Sequence, residues 1–230
     1  MSKHFSREIT AIQTRLLTLF GVVEQMISDA TRALCNREYD RASHVLDRDK
    51  RVDSEEVMIE EECLKVLALH QPVAGDLRQI TAILKIIADL ERIADLACNI
   101  AERAASVKPY PYFPTPDHLP VMAKEATEMV RRALNAFVGH DIMLARQVIL
   151  DDARVDKLNR GIILELKGIM KTDGELVEPA LHYFSASKHF ERIADHAENI
   201  AEDVIYMISG EIIRHKHGEF EIEVGRNGTS

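Results

Sequence analysis

Two stretches of this chain carry side chains that could do chemistry, and they are nearly the same stretch. Residues 91–102 read ERIADLACNIAE and residues 191–202 read ERIADHAENIAE, differing only at Leu96/His196 and Cys98/Glu198. Turned 100° per residue as in an α-helix, Glu91, Asp95, Asn99 and Glu102 form one stripe, and Glu191, Asp195, Asn199 and Glu202 repeat it. A row of oxygen donors suits hard or borderline cations such as Mg²⁺, Mn²⁺ or iron rather than zinc or copper. Like charges at i,i+4 cost a few tenths of a kcal/mol per pair. Both copies accept that cost at Glu91/Asp95 and Glu191/Asp195, and a cation held between the carboxylates would relieve it. Upstream, Asp53, Glu56 and Glu60 share one helical face and could complete a cluster with the first stripe. The matching positions in the second half are Asp156, Asn159 and Ile163, poorer in acid, so unequal sites are expected. His196 has Leu96 as its counterpart and reads as incidental. The plainer alternative is that both stripes are only the solvated face of amphipathic helices.

The elements that position these stripes follow from the apolar spacing. Leu90, Ile93, Ala97, Ile100 and Ala104 lie nearly opposite the first carboxylate stripe, as Phe190, Ile193, Ala197, Ile200 and Val204 do in the second. That threes-and-fours spacing is a buried seam, leaving the carboxylates on the face the core does not use. The same spacing at Ile9, Ile12, Leu16, Leu19, Val23, Met26 and Ala30 predicts a helix over about 5–34. A second helix is predicted over about 38–69, carried by Ala42, Val45, Val52, Ile59, Cys63 and Val66. A turn over 70–76 containing Pro72 and Gly75 precedes a third helix that ends near 106. Met26, Met58 and Met129 read as core methionines.

The order then repeats, with helices expected over about 119–138, 141–170 and 175–209. Arg51-Val52-Asp53 returns as Arg154-Val155-Asp156, an offset of 103 where the carboxylate stripes show 100. The fold class is therefore all-α: two tandem three-helix bundles over 5–106 and 121–210. A proline-rich linker over 107–120 separates them, and a mobile tail over 211–230 follows. Five of the seven prolines fall in SVKPYPYFPTPDHLP, which favours an extended, semi-rigid connection.

Composition removes several function classes. A net charge of −9 argues against a nucleic-acid duplex as partner, since such binders need a basic footprint to displace counterions. Three cysteines without CxxC spacing read as reduced thiols of a cytoplasmic protein. No apolar run approaches the roughly 20 residues of a membrane span, so any membrane contact is expected to be peripheral. A carboxylate-bridged metal oxidase needs Glu-x-x-His pairs facing a bundle core, and neither stripe has one. No phosphate-cradling loop, nucleophile elbow or anion pocket beyond ordinary helix N-termini is readable.

With ERIAD followed by NIAE in both halves, and Gln71-Pro72-Val73-Ala74 and Asp76-Leu77-Arg78 ahead of the first, the chain closely resembles the PhoU family. The resemblance covers roughly residues 5–210. It implies a pair of three-helix bundles, often a homodimer, without enzymatic activity. It also implies a negative regulator that restrains phosphate uptake and the phosphate-starvation response, contacting the ATPase subunit of the phosphate ABC transporter and the phosphate-sensing histidine kinase at the cytoplasmic membrane surface. The family's Glu/Asp-x-x-x-Asp motif, which holds metal in some members, falls on Glu91/Asp95 and Glu191/Asp195. The second half lacks the Gln-Pro-Val-Ala and Asp-Leu-Arg stretch and has Glu178-Pro179-Ala180 nearby. A helical scaffold without metal dependence is the competing expectation, and a carboxylate-bridged metal enzyme a more distant one.

Overall fold

The computed structural model describes residues 3–213, and these hold six α-helices and no strand. They are α1 (Lys3–Cys35), α2 (Arg41–His70), α3 (Ala74–Val107), α4 (Leu119–Gly139), α5 (Ile142–Met170) and α6 (Val177–Ser209), the last preceded by a 3₁₀ turn, Gly174–Leu176. The tail expected over 211–230 lies outside the described residues from 214 onward.

Each helix forms where the apolar spacing places it. The seven α1 residues of the predicted seam and the six of α2 are all buried. Of the three methionines expected in the core, Met26 and Met129 are buried and Met58 is not. It follows Val57 and precedes the buried Ile59, so it is turned about 100° off the seam, is 38% exposed, and rests its sulfur 3.4 Å from Arg15 Nη2. The α2–α3 turn is also tighter than the composition suggests. Gln71 takes a left-handed conformation (φ 44°), its N–H donating to the Leu67 carbonyl, and α3 starts at Ala74 rather than after Asp76.

Charged pairs fix the helix directions. Arg15 of α1 meets Glu55 and Glu62 of α2, while Asp29, near the other end of α1, takes Arg41 at 2.7 Å and Arg48 at 2.6 Å. The numbering therefore runs oppositely in the two helices, as short connections require. Asp29 is 1% exposed, so two guanidinium groups compensate a fully desolvated carboxylate.

The two halves are not strung apart on the linker. The helices that carry the repeated stretches, α3 and α6, pack on each other, and α4 also contacts α1 and α6. Lys85 Nζ donates to Asp203 at 2.7 Å and His196 Nδ1 to Asp89 at 2.8 Å. These pairs run in opposite senses along the two helices, so α3 and α6 are antiparallel, related by a local pseudo-two-fold near Ala94 and Ala194. Both helices are apolar around most of their circumference, the pattern of a central element rather than a surface one. The linker is pinned to both halves. Arg37 donates to the Pro111 carbonyl at 2.5 Å and the Phe113 carbonyl at 2.7 Å, and Phe113, 1% exposed, stacks on Tyr183.

Candidate functional site

The carboxylate groups form where an outer helix lies against a central one: α2 on α3 in the first half, α5 on α6 in the second. In the first, Asp53, Glu56, Glu91 and Asp95 share a face. Burial raises the pKa of Glu91, and Asp95, Glu56 and Asp53 raise it further. Glu56 is raised by burial and then by Glu60, with Asp53 and Asp95 adding to it. Arg92 opposes both shifts. Its Nη1 lies 3.2 Å from Asp95 Oδ2 and its Nε 3.3 Å from Glu91 Oε2, so one guanidinium bridges the i,i+4 acid pair. Asn99 is half-buried on the same helix. Glu102 lies about two turns beyond Asp95, is exposed, and sits 3.6 Å from Arg103 rather than in the group.

The second half repeats this arrangement in different chemistry. Glu191 receives Lys188 Nζ at 2.5 Å and Asn159 Nδ2 at 3.2 Å. Asp156 and Asp195 stand beside it, and Asp195 is raised by desolvation of its carboxylate, then by Glu191 and Asp156. Two further acids, which the sequence reading passed over, belong to this group. Asp152 is pushed up to about 6 by burial and by Asp195, Asp156 and Glu191. Glu198 is pushed up to about 8 by burial and then by Asp152. A signal for both was available. Glu198 is one of the two differences between the repeats, and Asp152 aligns with Asp49 at the offset of 103. In the first half that pairing is harmless, since the Cys98 thiol donates to Asp49 at 3.4 Å. In the second, a carboxyl replaces the thiol and faces another carboxyl. The two groups are therefore unequal: the second has Asn159 and Ile163 where the first has Glu56 and Glu60, and it gains Glu198 in place of Cys98.

Glu202 does not point away from the core. It is 6% exposed, because α6 is packed by several helices and the chain folds back past its end. Gly210 (φ 79°) caps α6 in the left-handed form that glycine takes without a Cβ penalty. The turn brings Ile213, 5% exposed, beside Glu202 and Asp203. His196, incidental to the oxygen-donor stripe, has a structural contact instead: it donates to Asp89 across the α3–α6 interface, which its counterpart Leu96 could not do.

The donor set of both groups is oxygen alone, which fits a hard or borderline cation. The second offers a further feature: Asn159, 3% exposed, has its Oδ1 buried without a hydrogen-bond partner. Among the described residues, no three His, Cys, Asp or Glu side chains converge closely enough as they stand to hold an ion. Arg92 and Lys188 supply the positive charge at Glu91/Asp95 and Glu191 in this arrangement. Burial pushes the Cys35 and Cys63 thiols up to about 12, leaving them neutral and poor nucleophiles.

Comparison with known proteins agrees with this architecture. The PhoU domain matches residues 16–104 and 119–204, one copy in each half. The chain is 34% identical over 219 residues to the phosphate-specific transport system accessory protein PhoU of Escherichia coli K12, covering 95% of this chain and 91% of that one. It is 38% identical over 211 residues to the PhoU homolog of Aquifex aeolicus, covering 92% and 96%. The crystal structure of PhoU from Pseudomonas aeruginosa superposes with a TM-score of 0.86 at 35% identity, over 90% of this chain and all of that one. The phosphate transport system regulatory protein PhoU of Streptococcus pneumoniae gives 0.84 at 28% identity, over 90% of this chain and 98% of the other.

Proposed function

Because the chain belongs to the PhoU family, we propose that it is a non-enzymatic accessory regulator of phosphate-specific transport. In this reading it restrains uptake and the starvation response when phosphate is plentiful. The observation that supports it is the extent of the likeness: the Escherichia coli accessory protein matches along 95% of this chain, through both repeats. Its partners are the ATPase subunit of a phosphate ABC transporter and the phosphate-sensing histidine kinase. It acts in the cytoplasm as a homodimer, reaches the inner membrane through those partners, and does not bind nucleic acid. No helix among the described residues is long and apolar enough to cross a membrane.

Within this reading the carboxylate groups take Mg²⁺, Mn²⁺ or iron. Asp53, Glu56, Glu91 and Asp95, with Asn99 nearby, would hold one centre. Asp152, Asp156, Asn159, Glu191 and Asp195, with Asn199 nearby, would hold the other. Glu102 and Glu202 lie outside both sets, Glu202 reaching the second only through Glu198. A bound ion would supply the charge that lets these acids stay ionised side by side, and a fixed positive point for a partner's acidic group. A second reading, a scaffold that works without metal, is favoured by Arg92 and Lys188, which already neutralise part of each group.

The test is a strain lacking the gene, grown in ample phosphate, with alkaline phosphatase output as the readout. High constitutive output, returned to low by the intact gene, is expected, and normal repression in the deletion would overturn the regulator reading. Retained binding to the ATPase subunit after chelation would select the metal-free scaffold.

A further inference from the structure

The pseudo-two-fold between α3 and α6 makes a prediction that the side chains break. Under it, the Lys85–Asp203 pair should recur between Ser185 and Arg103, and the Asp89–His196 pair between His189 and Leu96. On the first side, each nitrogen donor meets a carboxylate, at 2.7 and 2.8 Å. On the second, both acids are gone. Arg103 stands where Asp203 would be and His189 where Asp89 would be, so nitrogen donors accumulate with no acid set between them.

The consequences are visible in the hydrogen bonding. Arg103 Nε is buried without a partner, and so is His189 Nδ1. The His189 Nε2 atom lies 3.2 Å from Ser185 Oγ. With the serine hydroxyl donating, the ring proton lies on Nδ1, giving a second buried donor that lacks an acceptor. His182, one turn before Ser185 on the same face of α6, adds a third ring. Burial and then the positive charge of Arg103 hold His182 and His189 below the ordinary imidazole value. The acids in the neighbourhood are poorly placed to answer these donors. Glu102 is 3.6 Å from Arg103 Nη2 with its side chain 54% exposed, and Glu178 accepts from the Tyr110 hydroxyl. A buried donor left without an acceptor is unfavourable, and an acceptor arriving from solvent would satisfy both Arg103 Nε and His189 Nδ1.

We propose that Arg103, His182, Ser185 and His189 form a binding site for a tetrahedral oxyanion, free inorganic phosphate, at the α3–α6 junction opposite the Lys85–Asp203 pair. A guanidinium with its Nε and Nη donors matches phosphate oxygens as a fork, and the imidazole Nδ1 and the serine hydroxyl supply donors from the facing helix. The Arg103 side chain is 30% exposed, so the anion enters from solvent without opening the core. The ligand would bridge the two halves where no ion pair does. This inference stands on the broken symmetry alone and does not need metal at the carboxylate groups.

The experiment titrates the full chain with sodium phosphate at constant ionic strength, following heat of binding and ³¹P line width, with sodium sulfate run in parallel. Saturable binding of phosphate is expected, weakened at least tenfold in Arg103→Gln and unchanged in Asp95→Ala with Asp195→Ala. Arg103→Lys keeps the charge but not the fork, and is expected to be weakened as well should Arg103→Gln fail to fold. No saturable binding to the unaltered protein at millimolar phosphate would overturn the proposal, and so would equal affinity in the folded Arg103 variants. Because the readout is binding by the purified protein, its failure leaves the deletion-strain result untouched.

Discussion

His196 Nδ1 and Asp89 Oδ1 lie 2.8 Å apart across the interface between the two halves, with both side chains less than one-fifth exposed. The first repeat carries leucine at the histidine's position. Restoring the repeat with His196→Leu is therefore expected to destabilise the protein, leaving a buried carboxylate without its donor. A loss of about 1–3 kcal/mol in urea unfolding at pH 7 is the expected size. An unchanged midpoint would show that Asp89 finds water instead.

The second acidic group gives the protein a pH dependence of definite sign. Glu198 lies at about 8 against an ordinary 4.5, and Asp152 at about 6 against 3.8. Raised folded values mean that the folded state holds protons the unfolded state has released. Stability from these groups is thus complete below the ordinary carboxylate values and is lost as pH rises through 6 and then 8. Without added metal, the urea midpoint is expected to fall between pH 5 and pH 9. Glu198→Gln should flatten the upper part of that decline. A midpoint that rises over this range would contradict the arrangement.

Asp95→Ala combined with Asp195→Ala is expected to abolish Mn²⁺ binding while leaving helical circular dichroism intact. Neither residue contributes to the apolar core, so the helices keep their packing. Unchanged metal stoichiometry in this double variant would remove Glu91/Asp95 and Glu191/Asp195 from the site.

Ala94 and Ala194, 1% and 0% exposed, lie nearest the point where α3 and α6 are related by the pseudo-two-fold. Ala194→Leu has no room there without moving a helix, and a loss of about 1–3 kcal/mol is expected. Thermal melting checks it. A variant as stable as the parent would mean that the helices cross elsewhere.

Arg37 holds the linker by two main-chain carbonyls, at 2.5 and 2.7 Å. Arg37→Ala is expected to leave the helices folded but to speed protease cleavage within 108–118 severalfold. Equal cleavage rates would show that the Phe113–Tyr183 stacking suffices alone.

Much of this was legible in the chain. Apolar residues recurring at threes and fours set the six helices, and the two offsets of 100 and 103 predict which residues of α5 face α6. Less legible was anything that depends on how α3 and α6 meet. Glu202 has the same sequence context as Glu102, yet one is buried and the other exposed. The difference comes from the chain turning back at Gly210, which no periodicity encodes. Asp152 and His196 were missed for a related reason: each acquires its role from a residue on another helix. Met58 illustrates the angular limit, since one step along a helix separates it from the buried Ile59.

The back-to-back packing of α3 and α6 also bears on how the chain comes apart. A three-helix unit cut free at the linker would expose the apolar sides of its central helix, so neither half is a self-sufficient folding unit. The duplicated halves should therefore melt in a single cooperative transition rather than two. A chain nicked between 108 and 118 should still run as one particle, its fragments behaving as subunits of a heterodimer that was once a single polypeptide.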